Sequence, residues 1–203
     1  EKIDLTGVIV FPNLAVEHSA VDFGAVLNET ESRSYVQITN TSEVPVKCHW
    51  YFEEPENPPV AKKGQEIIPV NQIFDIVPIR SSLDVGESEM VEFVFFGHKG
   101  RSAKANVVCV VEDGPEYQVR LRGEASEIKY SFDKKVIDFG SLQYEFNAER
   151  DFTIQNTGKV EFNFNILTDG VCPPRTCMVQ PLTGKIGPGG KQRIAVKVTP
   201  GMP

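Results

Sequence analysis

The sequence is poor in the residues that carry chemistry. Its 203 residues include three histidines, four cysteines, three methionines and one tryptophan. His18, His49 and His98 lie in separate segments, and no pair has the close spacing of a metal-binding helix or loop. Four cysteines are few for a disulfide scaffold of this length, so a reducing compartment is the simpler reading. Cys48 and Cys109 read as small core residues on neighbouring strands. Cys172 and Cys177, in the loop CPPRTC, have no second pair to complete a four-ligand zinc site and read as two free or casually paired thiols.

Other absences narrow the field further. No apolar run approaches the roughly 20 residues of a membrane helix, and no signal-peptide pattern is present. The 28 carboxylates outnumber the 21 Lys and Arg, and no window is basic, which weighs against nucleic acid and anionic membrane as partners. No helical period lasts longer than a turn.

What the chain does contain, it contains twice. Residues 21–46, VDFGAVLNETESRSYVQITNTSEVPV, align without a gap on residues 137–162, IDFGSLQYEFNAERDFTIQNTGKVEF, at an offset of 116. Asp22/Asp138, Phe23/Phe139, Gly24/Gly140, Ile38/Ile154, Asn40/Asn156 and Thr41/Thr157 are identical pairs. Such a repeat fixes the architecture before any other signal. Upstream, Val16-Glu17 falls opposite Phe132-Asp133, and Ile3, Leu5 and Gly7 fall opposite Val119, Leu121 and Gly123. Downstream the offset becomes 103, matching Pro78 to Pro181, Gly86 to Gly189, Val91 to Ile194 and Phe93 to Val196. The first copy thus carries thirteen extra residues, within the Pro-rich and charged connection 53–72.

Nothing in the second copy matches residues 101–123 of the first. The expected organisation is therefore residues 1–7 as the last strand of a preceding module, 8–124 as a complete module, and 125–203 as a module without its last two strands. Both ends then read as cuts through a longer tandem array, with Glu124–Glu127 as the linker between the modules.

Within a module the punctuation is that of β-structure. Val44, Val46, Cys48, Trp50 and Phe52 alternate with polar or solvent-facing residues, as do Phe162, Phe164 and Ile166, which predicts strands with one buried and one wet face. Val36 and Ile38 point inward on the preceding strand, and Asn-Thr-Ser or Asn-Thr-Gly makes the turn after it. A fourth strand is expected at Phe74–Ile79 and a fifth through Val91, Phe93 and Phe95. A hairpin is expected around Asp113-Gly114-Pro115. Seven strands in about 116 residues make the fold all-β, with tandem immunoglobulin-like β-sandwich domains.

Motif searches yield turns. Asp22-Phe23-Gly24 and Asp138-Phe139-Gly140 spell the kinase metal-binding triplet without the phosphate loop, strand lysine or His-Arg-Asp loop that a kinase needs. Gly97-His98-Lys99-Gly100 and Gly187-Pro188-Gly189-Gly190 lack the length and the Lys-Ser/Thr ending of a phosphate loop. Asn28-Glu29-Thr30 and Asn40-Thr41-Ser42 are formal glycosylation sequons that carry little weight. The chain is read as having no catalytic, cofactor or metal residues, no cofactor and no enzyme activity, with its partner-binding residues unassigned. Contacts are sought in the loop 53–72 and along exposed sheet edges.

The Asp-Phe-Gly turn, the strand ending in Ile-x-Asn-Thr, the alternating strand after it and the Pro-x-x-x-x-Leu-x-x-Gly loop together resemble the ASH family. These are immunoglobulin-like modules of centrosomal and ciliary proteins, related to the major sperm protein fold. FDIVPIRSSLDVGESEMVEFVFFGH and VVCVVEDGPEYQVRLRGEASEIKYSFD resemble the giant ASH arrays of motile cilia in particular. The resemblance implies a structural protein of the cytoplasm and cytoskeleton, in the axoneme of the cilium. Its implied partners are other axonemal proteins and central-pair microtubules, with no nucleic acid, membrane or small-molecule substrate. Two rivals use the same sandwich: an extracellular adhesion array, which predicts oxidised cysteines, and a peptide-binding adaptor, which predicts a basic groove.

Overall fold

The computed structural model describes residues 3–54, 67–144, 146–170 and 176–200. The chain divides into two compact units, Glu1–Ala125 and Ser126–Pro203. In the first, the elements are β1 (Leu14–Val16), β2 (Ala20–Leu27), β3 (Glu31–Asn40), β4 (Val46–Phe52), the one-turn helix α1 (Val70–Ile73), β5 (Phe74–Val77), β6 (Arg80–Leu83), β7 (Ser88–Phe96), β8 (Ser102–Val111) and β9 (Glu116–Ser126). The second has β10 (Tyr130–Phe132), β11 (Ala148–Asn156), β12 (Phe162–Asn165), β13 (Cys177–Gln180), β14 (Thr183–Ile186) and β15 (Lys191–Val198).

The first unit is a sandwich of a four-stranded sheet, β1-β3-β7-β5, and a five-stranded sheet, β2-β9-β8-β4-β6. Period-two alternation supplies the facing layers. Val36 and Ile38 of β3 and Val91, Phe93 and Phe95 of β7 meet Val46, Cys48 and Trp50 of β4 in one buried cluster. Trp50 is 2% exposed and packs edge-on against Phe93, with ring centroids 5.5 Å apart. Phe23, Phe74 and Phe95 form a second aromatic group, with Phe74 and Phe95 centroids 5.3 Å apart. Gly123 of β9 lies under this group, because a Cβ there would meet the Phe95 ring at 2.6 Å. Burying each such ring contributes about 1.5–3 kcal/mol.

The Asp-Phe-Gly pairs act as turns. Asp22 Oδ1 accepts the Gly24 amide at 2.9 Å and Asp138 Oδ1 accepts the Gly140 amide at 2.7 Å. Gly24 and Gly140 have φ of 66° and 63°, a region that favours glycine.

The Asn-Thr turns are more than turns. Asn40 is 1% exposed and ends β3 with its side chain pointing into the unit. Its Nδ2 donates to the carbonyls of Val44, Leu83 and Asp84 at 2.8, 3.2 and 3.1 Å, and its Oδ1 accepts the Ser42 amide at 2.9 Å. Asn156 repeats this, donating to Val160 and Ile186 at 2.8 and 2.9 Å and accepting the Gly158 amide at 2.9 Å. A carboxylate clamp also recurs. The Asp133 backbone donates to the Thr153 carbonyl while Asp133 Oδ1 accepts the Thr153 amide at 2.6 Å, which holds its carboxyl below the usual range against some desolvation. Glu17 makes the same exchange with Gln37.

The structure corrects several expectations. The strand expected over Phe74–Ile79 is two strands in two sheets, β5 pairing with β7 and β6 pairing with β4. Pro78 has no N–H to continue the ladder, so the chain leaves one sheet there and enters the other. Pro181 occupies the same place between β13 and β14. With the first extended segment also divided into β1 and β2, the described residues of the first unit form nine strands where seven were expected.

The expected linker Glu124–Glu127 is largely strand, since β9 runs to Ser126 and Ala125 is 3% exposed. Over its described residues, 3–7, the segment read as a closing strand forms no strand, and Ile3 and Leu5 are exposed. Residues 136–142, which repeat β2, are also in no strand. In the first unit β2 pairs with β9, and no described strand of the second unit takes the place of β9.

Replacing Asn40 with Ala leaves the Leu83 carbonyl and its neighbours without their buried donor. We expect the first unit to lose about 3 kcal/mol of stability, read as a lower urea midpoint at unchanged slope. An unchanged midpoint would show that the carboxamide only decorates the turn.

Candidate interaction surface

The residues singled out from the sequence are dispersed by the fold. His18 and His49 sit on different strands or their connections, and His98 lies after β7, where its Nε2 is 2.9 Å from the Gln72 carbonyl. No group of three or more His, Cys, Asp or Glu among the described residues is placed to hold a metal. Cys48 and Cys109 are free buried thiols on the paired strands β4 and β8. A hydrogen bond with its neighbour Cys48, and burial after it, push the Cys109 thiol far up, so it stays protonated and serves as core. Cys177 is held in a disulfide, and Cys172 lies outside the described residues. The CPPRTC loop was expected to hold two free or casually paired thiols, and Cys177 takes the paired form.

Of the loop 53–72, residues 55–66 lie outside the described residues. Its far end, α1, leads into β5, and Gln72 with His98 and Phe96 lines an open cleft of about 680 Å³ whose opposite wall is Glu29–Glu31. His98 fastens the α1 end of the loop to the turn after β7.

The outer face of the four-stranded sheet exposes apolar side chains, as does the segment from Ile3 to Phe11. Tyr35 of β3, Glu92 of β7 and Val77 of β5 are directly opposite one another in register, and Met90 is opposite Gln37 one row away. Tyr35, Val77, Ile79 and Met90 are each about half exposed. An ionic cluster holds this row in place. Arg33 donates to Glu31 at 2.7 Å and to Glu92 at 3.0 Å, and the Tyr35 hydroxyl donates to the same Glu92 oxygen at 3.0 Å. The Glu31 and Glu92 carboxylates raise the Arg33 guanidinium, and the Glu92 carboxylate raises the Tyr35 phenol above its ordinary value. These are solvent-exposed interactions that orient side chains more than they stabilise the fold. Sequence reading missed this row because its residues come from three strands whose register is set only by the fold.

The second unit presents a different surface. Its four-stranded sheet, β10-β11-β15-β13, repeats β1-β3-β7-β5, but among the described residues the other layer is only the pair β12-β14. Its buried cluster is Ile154, Ile186 and Ile194, against nineteen buried residues in the first unit's cluster.

These features define a class: immunoglobulin-like β-sandwich units in tandem. Residues 129–202 match the family model described as HYDIN/CFA65/VesB-like, Ig-like domain. The ASH-type resemblance carried by the repeat residues agrees with it. Over its whole length the chain is 26% identical to the hydrocephalus-inducing protein homolog of Homo sapiens and 27% identical to the hydrocephalus-inducing protein of Mus musculus. It spans 6% of the length of each. Over 97% of the chain it is 22% identical to cilia- and flagella-associated protein 65 of Chlamydomonas reinhardtii, spanning 9% of that protein. Among solved structures, the ASH / PapD-like domain of human CEP192 (PapD-like domain 7) aligns over 64% of this chain and 100% of that domain, with a TM-score of 0.46 and 15% identity.

Glu92→Gln removes the carboxylate that restrains the Tyr35 hydroxyl. The Tyr35 phenol should then titrate lower, back toward its ordinary value of 10.0, when followed through its ring signals by NMR. An unshifted titration would mean that the pair does not form in solution.

Proposed function

We propose that this chain is a stretch of a structural scaffold in the motile-cilium axoneme. In this reading it belongs to the central-pair apparatus, is required for ciliary motility and has no catalytic role. The observation that carries the reading is similarity along the whole chain to hydrocephalus-inducing proteins and to a cilia- and flagella-associated protein. The geometry supports it, because two sandwich units with only residues 127–129 between β9 and β10 suit beads in series. Its partners are other axonemal proteins and central-pair microtubules, met through the Tyr35 row, sheet edges and the loop 53–72. Nucleic acid, membrane and small molecules are not among them. The cytoskeleton of the cilium is its place in the cell. The adhesion reading called for oxidised cysteines and is favoured by an oxidised Cys48–Cys109 pair; Cys48 and Cys109 are free thiols, while Cys177 is disulfide-bonded.

The test is to place an epitope within residues 53–72 of the parent protein in ciliated cells and view axoneme cross-sections by immunoelectron microscopy. Label concentrated beside the central pair is the expected result. Label on the cell surface, at the centrosome or throughout the cytoplasm would sink the reading.

A further inference from the structure

Unpaired backbone groups along a sheet edge invite further strands, and proteins suppress that invitation edge by edge. The edges β1, β2 and β5 of the first unit are blunted by bonds made within the unit. At β1 the Leu14 amide donates to the Tyr117 hydroxyl at 3.1 Å, and at β2 the Gly24 amide donates to Asp22 at 2.9 Å. At β5 the Phe74 amide donates to the Val70 carbonyl and the Ile76 amide to Asp75 Oδ1 at 2.8 Å. The remaining edge, β6, is different. The Trp50 amide donates to the Ile79 carbonyl at 2.9 Å, so by alternation Arg80 and Ser82 turn their backbone groups away from β4, where they meet no other described strand.

The side chains beside this edge decide what can pair with it. Arg80 lies opposite His49, and Ser82 opposite Lys47, on the outer face of the sheet. Arg80 and Lys47 are exposed and form no ion pair with another described residue. Glu112, on the far side of Lys47, bonds its carbonyl and not its ammonium. Toward the core the edge is apolar, with Ile79 56% exposed at its start and Leu83 buried at its end. The second unit repeats the edge without the charge. There β14 has Thr183 in place of Arg80, β12 has Asn163 in place of Lys47, and Lys185 is paired with Glu161 at 2.6 Å.

We propose that β6 is a docking edge for an extended acidic segment of a partner protein, added as a further strand of the five-stranded sheet. Its carboxylates lie on the outer face beside Arg80 and Lys47, and its alternate, apolar side chains turn inward beside Ile79. Backbone bonds to Arg80 and Ser82 supply affinity, and the two cations choose the partner. A second copy of the edge is unsuited, because β6 set against β6 brings both Arg80 and both Lys47 onto one face. The docking edge gives the scaffold reading, on which it rests for the existence of a partner, one edge and one chemistry. Binding in solution and location in the cell are separate measurements, so either can fail alone.

The probe is an octapeptide of alternating Glu and Val, blocked at both ends and added to the full 203-residue chain. Amide exchange followed by NMR should slow about tenfold or more at Arg80 and Ser82, and stay the same at Thr183 and Lys185. Of two versions N-methylated at alternate residues, all Glu or all Val, one should lose binding, since methylation removes the donors that face the edge. Affinity should fall about tenfold or more in Lys47→Glu/Arg80→Glu. It should fall likewise in the unaltered chain between about 0.1 and 1 M salt, which keeps the test decisive if the variant does not fold. No protection at about 1 mM peptide overturns the proposal. Equal binding by an alternating Lys and Val peptide, by both N-methylated versions or by the charge-reversed chain overturns it as well, as does equal protection of β14. Protection of Arg80 and Ser82 that grows with protein concentration before any peptide is added would make a second copy the occupant, which also overturns it.

Discussion

In each unit one carboxamide decides where three chain segments meet. Asn40 and Asn156 are 1% and 0% exposed, and such a side chain is tolerated only if its polar atoms are satisfied. Those atoms are satisfied by the turn that follows their own strand and by the loop between the sandwich-crossing strand and the next long strand. The backbone of the same residue completes the lock. Asn40 donates its amide to Glu87 and accepts from Gly86, and Asn156 donates to Gly190 and accepts from Gly189. β3 and β7 are thereby held in register at one end, as are β11 and β15, and the alternation along those strands then places every inward side chain. A slip of one residue would unpair the carboxamide and turn Val36, Ile38, Val91 and Phe93 to water together.

The repeat made this frame readable before any coordinates. Identical Asn-Thr pairs at one offset and matched glycine loops at another could be aligned, and the alternation in Val46, Cys48 and Trp50 named the buried face. Two things escaped. The crossing at Pro78 was hidden because a run of apolar residues, FDIVPI, looks continuous unless the missing N–H of proline is given its full consequence. The failure of residues 136–142 to form a strand was hidden because a strand is a property of a pair. Their sequence is as strand-like as that of β2, and what differs is the partner.

The Tyr35 row was unreadable for a related reason. Its members lie 35, 77 and 92 residues into the chain and become neighbours only through two antiparallel registers. Sequence periodicity reports which face of a strand is wet but not which wet residues become adjacent. A candidate site on a sheet face therefore becomes visible only once strand order is known.

That face also shows what the two units do not share. The row Tyr35–Glu92–Val77 has its counterpart in Asp151–Ala195–Gln180, with the same opposition of strands. The neighbouring row Arg33–Val94–Asp75 becomes Glu149–Lys197–Met178. Where the first unit pairs Arg33 with Glu92, the second pairs Arg193 with Asp151 at 2.8 Å, and an exposed tyrosine gives way to that aspartate. The buried carboxamide and the inward layer fix the frame, and they constrain the outer rows only in position. A tandem array built this way can display a different surface at each bead without disturbing the core of any, which is what a scaffold needs if successive modules are to meet different partners.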